Sequence, residues 1–187
     1  MVVVSARLII GLGNPGMDGT RHNLGRRVVQ ELADKQGAIF RFEKSFTALV
    51  APIVVNTRKV YLVLPETYMN NSGQTVFRMC QYYQIRSEET VVAVDDMAFT
   101  IGQLKLQPSG GAGGHNGLAD IERLIGKNYP RLRLGIGKAP FSFEAHVLGR
   151  FNAEEERILP IEKAVEALQR LTIEDFARVA TDLNKRN

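Results

Sequence analysis

Residues 7–37 read RLIIGLGNPGMDGTRHNLGRRVVQELADKQG, and this stretch decides the fold. Arg7–Gly11 is a short apolar run closed by a glycine, the mark of a buried strand entering a tight turn. From Asn23 to Gln36 the residues Leu24, Val28, Val29 and Leu32 recur at helical spacing, and Gly37 stops the helix. Strand, loop and amphipathic helix in that order form the repeating unit of an α/β sheet.

The alternation continues along the chain. Thr47–Val55 and Lys59–Leu64 are β-rich runs flanking Asn56, Thr57 and Arg58, which predicts a hairpin. Ser72–Tyr83 places Val76, Met79, Cys80 and Tyr83 on one helical face. Thr90–Val94 (TVVAV) reads as a fully buried strand, and Gln103–Gln107 is short and alternating. Leu118–Ile125 is a helix behind a glycine-rich loop, and Arg131–Gly137 (RLRLGIG) is a strand. Asn152 with Glu155 predicts a capping box for a helix over 153–171, which Pro160 kinks or restarts. Ile173–Leu183 is a last amphipathic helix. The expected architecture is a single α/β domain over residues 1–187, with a mixed, mostly parallel central sheet and helices on both faces. Ligands of such sheets bind beyond the carboxyl ends of the strands. The loops after Ile10, Leu64, Val94, Gln107 and Gly137 therefore carry the candidate chemistry.

Composition excludes several classes. Hydrophobic residues make up 44% of the 187 and charged residues 24%, which is ordinary for a folded domain and excludes disorder or coiled coil. The longest run without a polar residue, Ala48–Val55, is far shorter than the roughly 20 residues of a membrane span. The opening MVVVSARLIIGLG has too short an apolar run for a signal peptide, and Cys80 is the single cysteine. These features lead to the expectation of a cytoplasmic protein without membrane or disulfide. The net charge of +4 is uneven: +3 over residues 1–50, −1 over 51–100, +4 over 101–150 and −2 over 151–187. A basic third quarter suits a polyanionic partner such as nucleic acid.

Gly11–Gly16 (GLGNPG) matches the glycine fingerprint of dinucleotide sites, but its context does not. Asn14-Pro15-Gly16 reads as a turn, the helix begins only near His22, and no second strand ends in the acidic residue that a ribose requires. Asn14 is then a polar side chain delivered to a strand end. His22 opens a helix, where the dipole disfavours imidazolium and keeps the ring a potential base. Asp95 ends the most buried strand and is either a turn residue or the orienter of that base. Asn71 or Ser72 is expected to cap a helix, leaving Asn70 as a site amide. Gly110–Gly117 (GGAGGHNG) costs much backbone entropy yet runs into a well-patterned helix, so it reads as a loop built for close approach to a ligand. Asn116 stands at that helix start, as N-cap or as a ligand-facing amide. Cys80 belongs to a core face, the three histidines lack metal-ligand spacing, and no serine sits in a G-x-S-x-G elbow. The candidate nucleophile is water, and the candidate polar set is His22, Asp95, Asn14, Asn70 and Asn116.

Taken together, GLGNPG at 11–16, TRHN at 20–23, TYMNNSG at 67–73, Asp95 after its strand, GGAGGHNG at 110–117, RLRLGIG at 131–137 and VLGRF at 147–151 resemble the bacterial-type peptidyl-tRNA hydrolases in order and spacing. The resemblance implies hydrolysis of the ester between a peptide and the 3′-terminal ribose of tRNA, with His22 as the base that activates water and Asp95 as its orienter. It implies that Asn14 and Asn70 line the site and that Asn116 positions the water or the developing oxyanion. Met69 and Gly113 would contact the peptide end, Tyr68 and His115 would also bind substrate, and Lys105 and Arg133 would grip the 5′-phosphate region of the tRNA. It also implies a monomer without metal or cofactor. Three positions depart from the family pattern: Val94 where a His is usual, Ala112 where the glycine loop often has His, and Gln107 where a Lys is common. The 138–145 loop is short. Two other readings remain at this point: an RNA-binding protein on the same fold without turnover, and a nucleotide-binding regulator using GLGNPG.

Overall fold

The structure, a computed structural model, describes residues 5–185, so the first four residues of the opening apolar run lie outside it. Seven strands form one sheet: β1 (Leu8–Gly11), β2 (Arg41–Glu43), β3 (Ala48–Val55), β4 (Arg58–Pro65), β5 (Thr90–Asp96), β6 (Leu104–Gln107) and β7 (Arg131–Gly135), in the spatial order β2-β3-β4-β1-β5-β7-β6. The central strands β4, β1, β5 and β7 are mutually parallel, and β2, β3 and β6 are antiparallel additions at the edges. The mixed, mostly parallel α/β sheet expected from the alternation is what forms.

Among the described residues seven α-helices cover the sheet: α1 (Leu24–Lys35), α2 (Ser72–Tyr83), α3 (Asn116–Ile125), α4 (Phe143–Leu148), α5 (Ala153–Ile158), α6 (Ile161–Leu171) and α7 (Phe176–Lys185). Two separate apolar cores result. One packs Leu24, Val28 and Leu32 of α1 and Leu168 of α6 against Ile9, Leu62, Val91 and Ala93. The other packs Met79 of α2 and Leu118 and Ile121 of α3 against Ile10, Val63, Val92 and Val94. Alternate residues of β5 thus serve opposite layers, which is why TVVAV carries no polar residue. Cys80 is buried within the second core, as its helical face predicts.

The hairpin between β3 and β4 turns on Asn56 and Thr57, at φ 47° and 68°, as a two-residue turn with both φ positive requires. The capping box of Asn152 and Glu155 forms, but the helix it starts stops at Ile158. Pro160 then restarts the chain as the N-cap of α6, so two helices stand where one kinked helix was possible. Strand β2 and helix α4, six residues or fewer each, were not predicted. Such short elements carry too little periodicity to read.

The largest departure concerns the loop after Gln107. Because β6 runs antiparallel to β7, with Leu104 opposite Leu134 and Gln107 opposite Arg131, this loop leaves from the amino end of the sheet. The glycine-rich segment climbs back to the carboxyl end. Arg131 holds it by donating to the Gly110 and Gly111 carbonyls, and Arg133 donates to Gly111 O at 2.8 Å.

Candidate active site

The site gathers where the two helical layers meet the carboxyl end of β5. Asp95 extends past the last apolar residue of that strand and is 4% exposed. His22 comes from the 3₁₀ turn Arg21–Asn23 that leads into α1. That turn reaches Asp95 because Gly25, the second residue of α1, lies directly on the Ala93 carbonyl, where a Cβ would overlap the oxygen. Nδ1 of His22 stands 3.0 and 3.1 Å from the two Asp95 oxygens. Among the described residues its Nε2 has no hydrogen-bond partner.

His115 was expected among the substrate contacts. It is buried and lies 3.0 Å from Asp95 Oδ1 through Nε2. Its Nδ1 accepts from the backbone amides of Gly117, at 3.1 Å, and Leu118, at 3.4 Å, so His115 and not Asn116 is the N-cap of α3. Two backbone donors on Nδ1 leave the ring proton on Nε2, aimed at Asp95. The ring centroids of His22 and His115 are 4.8 Å apart. Burial raises the Asp95 pKa, but the His115 and His22 imidazoles more than compensate and bring it from 3.8 to about 2. Burial lowers the His22 pKa, and the bond and charge of Asp95 more than restore it, so the net shift is upward. The helix-start effect expected to favour neutral imidazole is therefore outweighed by the carboxylate.

His22, Asp95 and His115 are also the one group among the described residues whose spacing suits a metal ion. The donor set does not fit. A metal on Nε2 of His115 would take the position of the ring proton while Nδ1 still accepts two amides, which demands an imidazolate.

The candidate amides come from other segments of the chain. Asn14 Oδ1 accepts from the Met69 amide at 2.9 Å. Asn23, overlooked as a helix-start residue, grips the Asn14 backbone on both sides, accepting from Asn14 N and donating to Asn14 O, each at 2.8 Å. The only sequence signal for this was its place in TRHN. Asn70 and Asn116 are exposed, one in the 3₁₀ turn Met69–Asn71 and the other at the first position of α3. Met69 is buried beneath them and reaches over Gly117, where a Cβ would stand 2.7 Å from its sulfur. Tyr68 is largely exposed beside it. Neither Asn71 nor Ser72 caps α2 with its side chain; Ser72 Oγ donates to Met69 O instead.

A cavity of about 340 Å³ opens against Asp95 and His115, bounded by Gly113, Arg133, Lys138 and Phe143. A wider groove of about 1130 Å³ between α1 and α6 contains none of the candidate residues. Lys105 and Arg133 are cross-strand partners on one face, as a joint phosphate grip would need. Arg133, however, is already paired with Asp96 at 2.7 Å and largely buried, so Lys105 is the freer of the two cations.

The fold and site define a class: a one-sheet α/β protein with a buried carboxylate–imidazole pair at the carboxyl edge. The profile of the peptidyl-tRNA hydrolase family matches residues 8–187. The chain is 41% identical to a peptidyl-tRNA hydrolase of Roseiflexus sp. (strain RS-1), over 95% of this chain and 85% of that protein. It is 40% identical to the chloroplastic peptidyl-tRNA hydrolase of Arabidopsis thaliana, over 96% of this chain and 65% of that protein. The crystal structure of peptidyl-tRNA hydrolase from Acinetobacter baumannii superposes with a TM-score of 0.87 at 38% identity, covering 100% of this chain and 97% of that one. The chain belongs to the peptidyl-tRNA hydrolase family and is, by that membership, a hydrolase.

Proposed function

We propose that this protein hydrolyses the ester joining a peptide to the 3′-terminal ribose of tRNA, freeing tRNA from stalled or aborted translation. The observation that carries this reading is the His22–Asp95 pair, 3.0 Å apart and buried, with Nε2 of His22 unpartnered among the described residues. Asp95 holds the ring proton on Nδ1, which makes Nε2 the basic nitrogen. Nε2 takes a proton from water as the oxygen attacks the ester carbonyl carbon. The amide nitrogens of Asn14, Asn70 and Asn116 donate to the oxyanion that develops. Collapse breaks the bond to the ribose oxygen, and the proton on His22 passes to that oxygen. A positioned base supplies about 10²–10⁴ in rate, and oxyanion donors add a comparable factor. A ribose hydroxyl leaves readily enough that no covalent enzyme intermediate is required.

Tyr68, Met69 and Gly113 meet the peptide end, and the acceptor stem, CCA end and 5′-phosphate region lie along the basic third quarter, with Lys105 as the leading phosphate contact. Phosphate contacts without base readout suit an enzyme that accepts many tRNAs. The protein works as a cytoplasmic monomer without metal or cofactor; among the described residues no helix is long and apolar enough to cross a membrane. An N-blocked substrate is preferred, because a free ammonium would be desolvated without a counter-charge. The test is release of labelled peptide from N-blocked aminoacyl-tRNA, wild type beside His22→Ala. The expected result is a loss of at least ~10² in kcat with little change in tRNA binding. Near-wild-type turnover in the variant would refute the assignment.

A further inference from the structure

Phe141 is 99% exposed, more than any other large apolar side chain among the described residues. It stands in the short connection between β7 and α4, directly after Pro140, and no described residue packs over its ring. Two exposed cations belong to the same segment, Arg150 in the hollow beside the ring and Lys138 on the cavity next to Asp95, and neither is in an ion pair among the described residues. Arg21 nearby is different: Glu155 neutralises it at 2.8 Å. Glu144 is the one acid between residues 138 and 150. A hollow of about 260 Å³ lies at the foot of the ring, bounded by Ser142, Ala145, His146 and Arg150. The same segment continues into Phe143 and Val147, which wall the cavity over Asp95 and His115. An isolated bridge from Arg150 to Thr20 ties the far end of the segment to the turn that carries His22.

An open aromatic face beside the Arg150 cation, on a segment whose Lys138 lines the cavity over Asp95, has the profile of a single-stranded nucleic-acid contact. Bases stack on the ring and phosphates meet the cations, and stacking tolerates any base. We propose that Phe141 is a positioning residue of this enzyme, stacking an unpaired base of the tRNA 3′ end while Lys138 and Arg150 hold the adjoining phosphates. The proposal rests on the tRNA-ester reading above. A peptide side chain is a poorer occupant, because the cations would have no partner in it.

The sequence contains no tryptophan. Phe141→Trp therefore introduces a single indole reporter at the proposed contact. Titration with deacylated full-length tRNA is expected to quench its fluorescence, and the same tRNA trimmed of its CCA end is not. Equal quenching by both, or by neither, overturns the proposal. In turnover of N-blocked aminoacyl-tRNA, Phe141→Ala is expected to raise KM about five- to twenty-fold with kcat within twofold, and Phe141→Tyr to restore it. An unchanged KM, or a loss carried by kcat, also overturns it. Absence of turnover in the wild type would instead refute the function reading, and the CCA-dependent quenching is read independently of turnover.

Discussion

The imidazoles of His22 and His115 meet on a single oxygen of Asp95, Oδ1, each at 3.0 Å. One ring leaves its second nitrogen open to the site, and the other spends its second nitrogen as the cap of α3. The carboxylate is thus anchored from the helix layer on one face of the sheet while it orients the base from the other.

Asp95→Asn tests that arrangement. The amide cannot stabilise imidazolium as the carboxylate does, so kcat is expected to fall, though less than in His22→Ala. The double variant should be far from additive, because both changes remove one base. Steady-state kinetics of the four proteins check this, and additive losses would mean two independent roles.

The pH dependence follows from the directions of the shifts. The His22 pKa lies above 6.5, so the fraction of open base grows as pH rises through that higher value. The kcat profile is expected to show an acid limb with its midpoint above 6.5, moving down in Asp95→Asn. A limb that stays in place in the variant would assign the titration to another group. For stability, the raised His22 pKa contributes most below 6.5, and this contribution is lost as pH rises through the folded value.

Asp95 acts in the opposite sense. Its carboxyl titrates at about 2 in the fold against 3.8 unfolded, so its contribution is present above 3.8 and is lost as pH falls toward 2. The size is on the order of 2 kcal/mol. Urea unfolding at pH 5 and near pH 2 should show a larger drop for wild type than for Asp95→Asn, and equal drops would contradict the assignment.

Gln107→Lys probes the basic rim. Residues 105 and 107 share one face of β6, and both are partly exposed. The added charge is expected to lower KM for tRNA substrates and to steepen the salt dependence by about one phosphate contact, with kcat unchanged. A change in kcat alone would place the residue outside the tRNA path.

Gly25→Ala tests the approach that carries His22 to Asp95. Its Cβ would overlap backbone atoms of β5, which cannot rotate away. Destabilisation of about 3 kcal/mol or more is expected, read as a lower Tm together with lost activity. Gly117→Ala meets side chains rather than backbone, the sulfur of Met69 with Leu12 and His115 behind it, and should be the milder change, affecting KM more than Tm. A Tm equal to wild type for Gly25→Ala would mean that α1 can shift without cost.

By itself the sequence determined the layered fold and supplied a set of candidate polar residues. The period of the apolar residues decides which face is buried, and seven particular motifs leave a small set of polar residues at strand ends. TVVAV before Asp95 and the helix behind TRHN were legible because local periodicity encodes them. Tertiary structure alone decided how those polar residues are shared out. Residues 22, 95 and 115 are far apart in sequence, and the partner chosen by each nitrogen depends on where the helix layers converge. So His115 became the anchor of Asp95, Asn23 the clamp on Asn14, and Arg133 the partner of Asp96. The direction of β6 was equally hidden, because a four-residue strand reads the same whichever way it pairs. Its antiparallel pairing sends the glycine-rich segment back along β7 and brings His115 to the carboxylate.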